Sequence, residues 1–290
     1  MTKGRLAVLV LRLIGALPLW ALRLLGRVIG LCSWYSRSKA RRITEINLHH
    51  CLPELSPRAS RALARKSLLN TIIGGLEMAA MWHKPKAWTT GKIIATENLP
   101  LFKKYLQEKN GLILLAPHIG NWEVLNAQLS CHCDLLSLYK PISLTEVDML
   151  ILQARTRIGG RFAPTEANSI RLLLKHLKKN EVTSVLPDQV PIDDNSAISA
   201  PFFGHQAKTM TLIHRLIQKT RCNVIFVYCK RVPRGFITVF NEADQAIYSS
   251  DKQTSVAALN KGVEQCVLDV PEQYQWEYKR FKEAQVFYNK

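Results

Sequence analysis

One stretch, GLILLAPHIGNWEVLNAQLS from Gly111 to Ser130, limits what this chain can become more than any other. Gly111 to Ala116 is an apolar run long enough for one buried strand and too short for a helix. The run stops at Pro117 and His118, and Gly120 and Asn121 break the pattern. From there Trp122, Val124, Leu125 and Leu129 recur at roughly helical spacing. A strand, a tight turn and a helix start put polar groups at the carboxyl edge of a sheet, where open α/β folds bind substrates. His118 and Glu123 flank that turn. An imidazole with a carboxylate to orient it is the minimum equipment for drawing a proton from a hydroxyl.

Spacing by itself does not single out this pair. Eight His and 22 acidic residues in 290 positions give about 0.6 chance cases of His-x4-acid. The chain holds three: His49/Glu54, His118/Glu123 and His176/Glu181. His49 falls in a Pro-containing loop and His176 in a Lys-rich helical stretch. Only His118 has the strand, turn and helix around it.

The rest of the chain supplies a sheet for that edge. A helix is expected from Arg58 to Trp82, behind the cap Ser56-Pro57, with Glu77 on its apolar face as a paired core carboxylate or a site residue. Further on, Leu135–Tyr139, Val182–Leu186, Asn223–Cys229 and Phe236–Phe240 read as strands. Leu144–Arg157, Ser169–Lys179, Thr209–Lys219 and Ser255–Leu268 read as helices. That alternation predicts an α/β fold with a mainly parallel sheet flanked by helices. No Gly-rich phosphate loop, dinucleotide fingerprint or GxSxG elbow occurs, which argues against nucleotide chemistry and a serine hydrolase. Asp188 and Gln189, in LPDQ, stand just past a strand at the same edge as His118, where Asp188 either orients a loop or touches substrate. The long loop that follows carries Phe202-Phe203, an exposed-looking pair that an acyl chain or a membrane would cover. Arg155, Arg157 and Arg161 surround Gly159-Gly160 as an anion cradle or a solvated basic face.

Charge and the N-terminus point to a partner. There are 40 Lys+Arg against 22 Asp+Glu, a net +18 that seeks polyanions. Residues 1–50 hold nine Lys/Arg and one acid, Glu45, in apolar company, which favours a membrane over nucleic acid. Leu6–Cys32 is interrupted by Arg and has no small-residue cleavage site, so it is not a signal peptide. Its longest charge-free run after Arg12 is ten residues, short of the ~20 that span a bilayer. On one helix, Arg5, Arg12, Arg23 and Arg27 would fall within roughly 60° of one another. That pattern predicts a hydrophobic, amphipathic anchor helix lying in the interface and kinked at Pro18, with a tilted span as the alternative. Residues 1–35 are then an anchor and 36–290 the functional domain. Seven Cys make no paired framework, and Cys131-His132-Cys133 lacks a second pair for zinc, so a reducing, cytosolic setting without metal is expected.

Several stretches together resemble one family, the bacterial late acyltransferases of lipid A biosynthesis, within the wider lysophospholipid acyltransferase group. They are INLHHCLPELS (Ile46–Ser56), GGLEMAAMW (Gly74–Trp82), APHIGNWE (Ala116–Glu123), RTRIGGR (Arg155–Arg161), LPDQ followed by PFFG, and PEQYQWEYKRFK (Pro271–Lys282). Glu277-Tyr278 departs from the more basic or histidine-bearing pair expected there. The resemblance implies acyl transfer from an acyl carrier protein thioester to a hydroxyl of a lipid A precursor, at the cytoplasmic face of the inner membrane beside anionic lipids. His118 is then the general base and Glu123 the group that fixes its tautomer. Asn121, Arg155, Arg157, Asp188 and Gln189 are expected to contact substrate, with no cofactor, metal or nucleic acid. Another glycolipid or a lysophospholipid would serve as an alternative acceptor, and a non-catalytic basic membrane or nucleic-acid binder is the rival class.

Overall fold

A computed structural model of the protein describes residues 2–165, 167–191, 193–282 and 287–288. Four helices lead. α1 (Lys3–Ala16) and α2 (Leu19–Tyr35) are separated at Leu17-Pro18, because proline cannot continue the helix and Leu17 is driven to extended backbone. α3 (Lys39–Cys51) is capped by the Ser38 side chain, which accepts from Arg41 N–H. α4 (Pro57–His83) has Ser56 as its cap and Pro57 in its first turn, as the sequence leads one to expect. His49 lies in the last turn of α3, exposed, and not in a loop.

The first two helices are packed with their small residues inward. A Cβ on Gly26 would stand 2.7 Å from Ile73 Cγ1 and 2.9 Å from its Cα, so only glycine lets α2 approach α4 this closely. Gly15 and Gly30 face α4 in the same way. Of the large apolar residues Leu22 and Trp34 are buried, but many point the other way: Leu13, Trp20, Leu24 and Val28 are 52–69% exposed. The break at Pro18 undoes the single arginine stripe. Arg5, Arg12 and Arg27 are exposed, but Arg23 turns inward. Among the described residues no helix is long and apolar enough to cross a membrane.

After α5 (Lys86–Thr90) come β1 (Ile93–Glu97), α6 (Leu99–Gln107), β2 (Leu112–Leu115), α7 (Trp122–Leu129), β3 (Leu135–Tyr139) and α8 (Thr145–Arg157). β4 (Arg161–Pro164), α9 (Ala167–Leu177), β5 (Val182–Val185), β6 (Ala197–Phe202), β7 (His205–Met210) and α10 (Leu212–Thr220) follow. β8 (Asn223–Val232), β9 (Gly235–Glu242) and α11 (Lys252–Asp269) complete the fold. Seven strands form one sheet in the order β1-β9-β8-β2-β5-β3-β4, parallel except for the β8/β9 hairpin. β2 lies inside it, buried on both faces: Leu112 and Leu114 pack with α7, and Ile113 and Leu115 with α10 and α11. A strand buried on both sides reads as a continuous apolar run, which is why the sequence shows it plainly.

The segment expected to be a long loop is largely the antiparallel hairpin β6/β7. Its turn uses positive φ at both Phe203 (46°) and Gly204 (75°), the conformation that suits a two-residue hairpin. Consequently Thr209 and Met210 end a strand, and the helix expected from Thr209 starts at Leu212. Phe202 is 1% exposed in the core against Phe281, and Phe203 leans on Trp276, so the aromatic pair is packing and not an exposed cover site.

Glu77 ties these parts together. It is wholly buried on α4 and receives Arg23 Nε on one oxygen (2.7 Å) and Arg231 Nε on the other (2.8 Å). Arg23 also donates to the carbonyls of Val232, Pro233 and Gly235 in the β8/β9 turn. One carboxylate thus joins the N-terminal helices, α4 and the sheet. Removing its charge strands two nearly buried guanidinium groups, so Glu77→Gln should cost about 3–5 kcal/mol. Urea unfolding would read this; a loss below about 1 kcal/mol would mean the arginines find water instead.

Candidate active site

Parallel pairing of β2 with β5 sets Leu115 beside Val185. Each strand then continues for one residue, a proline and a polar residue: Ala116-Pro117-His118 and Leu186-Pro187-Asp188. Equal offsets from a paired register bring His118 and Asp188 together. His118 N–H donates to Asp188 Oδ2 (2.9 Å), and its Nδ1 lies 2.8 Å from Oδ1. Burial opposes ionisation of Asp188, but the charge and hydrogen bonds of His118 hold its carboxyl below the ordinary range. With the proton on Nδ1 directed to that carboxylate, Nε2 carries the lone pair. Gln189 Nε2 donates to it at 3.2 Å, and Trp122 stands edge-on to the ring.

The turn that follows is held by the backbone. Gly120 has φ 64°, and a Cβ there would run into the Cys229 carbonyl, so β8 admits only glycine beside it. Asn121 N–H donates to that carbonyl (2.9 Å). The Asn121 side chain caps α7, its Oδ1 accepting from Glu123 N (3.2 Å) and Val124 N (3.4 Å), and its buried Nδ2 has no partner among the described residues.

Glu123 does not orient His118. Its carboxylate, 1% exposed, is gripped by Arg155, with Nη2 at 2.5 Å and Nε at 3.0 Å from Oε1, while the guanidinium lies over Phe162. The planar fork of arginine matches a buried carboxylate, and the carboxylate that touches the imidazole is Asp188, from another strand. Arg157 turns away and donates to the carbonyls of Trp82 and Lys84. Arg161, at the surface, reaches the exposed Asp134 and the buried His176. The three arginines therefore form no common cradle. His176 has both ring nitrogens engaged, which accounts for its burial structurally. Cys131 and Cys133 donate their thiols to helix carbonyls, and burial pushes the Cys133 thiol up to about 12.

His118, Trp122, Glu123, Arg155 and Gln189 line a cavity of about 460 Å³ whose wall is mostly apolar, including Met78, Leu125, Leu129, Leu135, Ile151 and Leu138. The C-terminal segment clamps its catalytic rim. Gly120 N–H donates to Gln273 O (3.0 Å), Gln275 N–H to His118 O (3.2 Å), and Val190 N–H to the Tyr278 hydroxyl (2.9 Å). Glu277 accepts from Thr71 (3.0 Å), and burial raises its carboxyl pKa. Both residues of the unexpected Glu277-Tyr278 pair are thus engaged in packing the tail. The roles of Gln273, Gln275 and Tyr278 are set by long-range backbone contacts, and no local pattern announces them.

A paired imidazole at a parallel sheet's carboxyl edge, beside a long apolar cavity, is a layout for proton transfer next to a greasy substrate. Residues 3–283 match the family of bacterial lipid A biosynthesis acyltransferases, and the chain belongs to that family. Lipid A biosynthesis lauroyltransferase of Escherichia coli K12 is 26% identical over 280 residues, covering 94% of this chain and 89% of its own. Lipid A biosynthesis palmitoleoyltransferase of the same strain is 24% identical over 270 residues, covering 92% and 86%. A Haemophilus influenzae lipid A biosynthesis acyltransferase is 24% identical over 258 residues, covering 86% and 77%.

The geometry separates two carboxylates that local spacing confuses. Asp188→Asn should lower acyl transfer by about 10²-fold or more with little change in melting temperature. Glu123→Gln leaves the buried Arg155 without its counter-charge and should lower melting temperature as well. Near-normal turnover in Asp188→Asn would remove the aspartate from the chemistry.

Proposed function

We propose that this acyltransferase moves a fatty acyl group from an acyl carrier protein thioester to a hydroxyl of a lipid A precursor. The single observation carrying this reading is the His118–Asp188 pair lining an apolar cavity. The acceptor hydroxyl displaces the Gln189 amide from His118 Nε2, which takes the hydroxyl proton as the oxygen attacks the thioester carbonyl. Asp188 holds the tautomer and offsets the imidazolium charge, an arrangement worth about 10²–10⁴ in rate. The tetrahedral oxyanion draws on the Arg155 guanidinium, because the N–H groups of Gly120, Asn121, Glu123 and Val124 are already engaged. Collapse breaks the C–S bond, and the imidazolium proton goes to the departing thiolate. No enzyme nucleophile is needed. In this reading Asn121 shapes the helix start, Gln189 and Arg155 meet substrate, and Glu123 positions Arg155.

Membrane attachment follows from the first two helices. Residues 1–35 form an anchor that lies in the cytoplasmic leaflet of the inner membrane, with 36–290 as the acyltransferase domain. Glycines turned to α4 leave the leucine, valine and tryptophan side chains to enter the lipid, and Arg5, Arg12 and Arg27 remain available for anionic headgroups. The basic net charge, +18, suits an acidic carrier protein as well as the lipid phosphates.

Two measurements test this. With purified protein in detergent, His118→Ala should reduce transfer of a labelled acyl group from carrier protein to lipid A precursor by about 10²-fold or more, while His49→Ala and His176→Ala stay within a few-fold. Full activity in His118→Ala would end the mechanism. Deleting the anchor would bare the α4 face that Gly15, Gly26 and Gly30 cover, so outward substitutions are the cleaner test of attachment. Leu13→Glu, Trp20→Glu and Val28→Glu together should abolish sedimentation with anionic vesicles and leave the fold intact. Undiminished binding would assign attachment to another surface.

A further inference from the structure

Across the face of the sheet that α7 covers, one row of paired residues runs Ile225, Leu114, Ser184, Ser137 and Phe162. Strands buried in a parallel sheet are expected to be apolar in such a row. Here the two central positions, on β5 and β3, are serines, 8% and 7% exposed, and both line the cavity. Neither hydroxyl has a hydrogen-bond partner among the described residues. From the opposite wall Asn126, on the second turn of α7, lines the same cavity at 8% exposure. Both its amide oxygen and its amide nitrogen are buried without a partner among the described residues. A buried amide left without a partner carries its full desolvation cost, and the two serine hydroxyls stand unpaired at the same cavity.

We infer that Asn126, Ser137 and Ser184 form a polar subsite within the acyl cavity that selects a chain carrying a hydroxyl group. This rests on the acyl-transfer reading above and adds the chemistry of the chain. Asn126 offers a donor and an acceptor and each serine offers both, so a single hydroxyl on the chain would satisfy either wall. A plain alkyl chain in the same place would leave all three groups unpaired. The row lies about four residues below His118 along β2 and its extension, roughly 13 Å at 3.3 Å per residue. The favoured hydroxyl therefore sits well along the chain, not beside the thioester.

The test is a competition assay on the full-length enzyme. Carrier-protein thioesters of one chain length are mixed, unsubstituted or bearing one hydroxyl at successive carbons, and the lipid products are weighed by mass spectrometry. Wild type should favour an internal hydroxyl over the plain chain by roughly 10–100-fold. Asn126→Leu, and separately Ser137→Ala with Ser184→Ala, should collapse that ratio toward one. A merely structural role would lower all rates together and leave the ratio alone. A wild-type enzyme that takes the plain chain as readily as every hydroxylated one overturns the subsite while acyl transfer stands. Failure to transfer any chain overturns the acyl-transfer reading, and the subsite with it.

Discussion

The pairing of β2 with β5 is the constraint on which the site depends. Parallel register is exact in its consequences: Leu115 lies beside Val185, so whatever stands three residues further on each strand must meet. Those residues are His118 and Asp188, and a one-residue slip would separate them. The carboxylate then binds the histidine twice, through its ring and its own N–H. Rotation of the imidazole is limited from three sides, by Asp188, Gln189 and Trp122. The prolines at 117 and 187 stiffen both approaches and keep either chain from continuing as a ladder-bonded strand.

Arginine has three distinct uses in this chain, although all arginines look alike in a charge count. Arg155 is folded onto Glu123 beside the chemistry, and Arg23 and Arg231 converge on Glu77 in the interior. Arg5, Arg12 and Arg27 stay at the surface. The Glu77 triad also links the N-terminal helices to the sheet, since the guanidinium that docks α2 onto the sheet shares its carboxylate with Arg231. Arg231 in turn exchanges hydrogen bonds with Gln273, whose carbonyl receives Gly120 N–H in the catalytic turn. The N-terminal helices, the tail and the turn after His118 therefore form one connected network.

The cavity and the helical face are both apolar, for opposite reasons. In the first two helices glycines face the protein and many large apolar residues face outward, although Leu22 and Trp34 are buried. In the cavity the large residues face inward around space, and polar groups, Asn126, Ser137 and Ser184 among them, interrupt them. Each departure marks a place where protein alone does not complete the packing.

How much was legible depended on whether the signal was local. The β2–turn–α7 unit, β3, β5, the capped start of α4 and the mainly parallel sheet were readable because buried runs, caps and helical periods are written in neighbouring residues. His118 was picked out for the same reason. Its partner was not, because a carboxylate 70 positions away becomes adjacent only when two strands pair; the local Glu123 had a nearer claim by spacing alone and lost it to Arg155. The hairpin at 197–210 was missed because a positive φ at Phe203 is not advertised by its residue type; Glu264 accepts its N–H from outside. The arginine stripe failed because Pro18 split one expected helix into two. The twin pattern of apolar run, proline and polar residue at 116–118 and 186–188 was present in the chain throughout. Caps and periodicity determined the elements, and the motifs in their order carried the family resemblance. Register and long-range charge pairing decided which side chains share the site, because those depend on separations in space that no single stretch encodes.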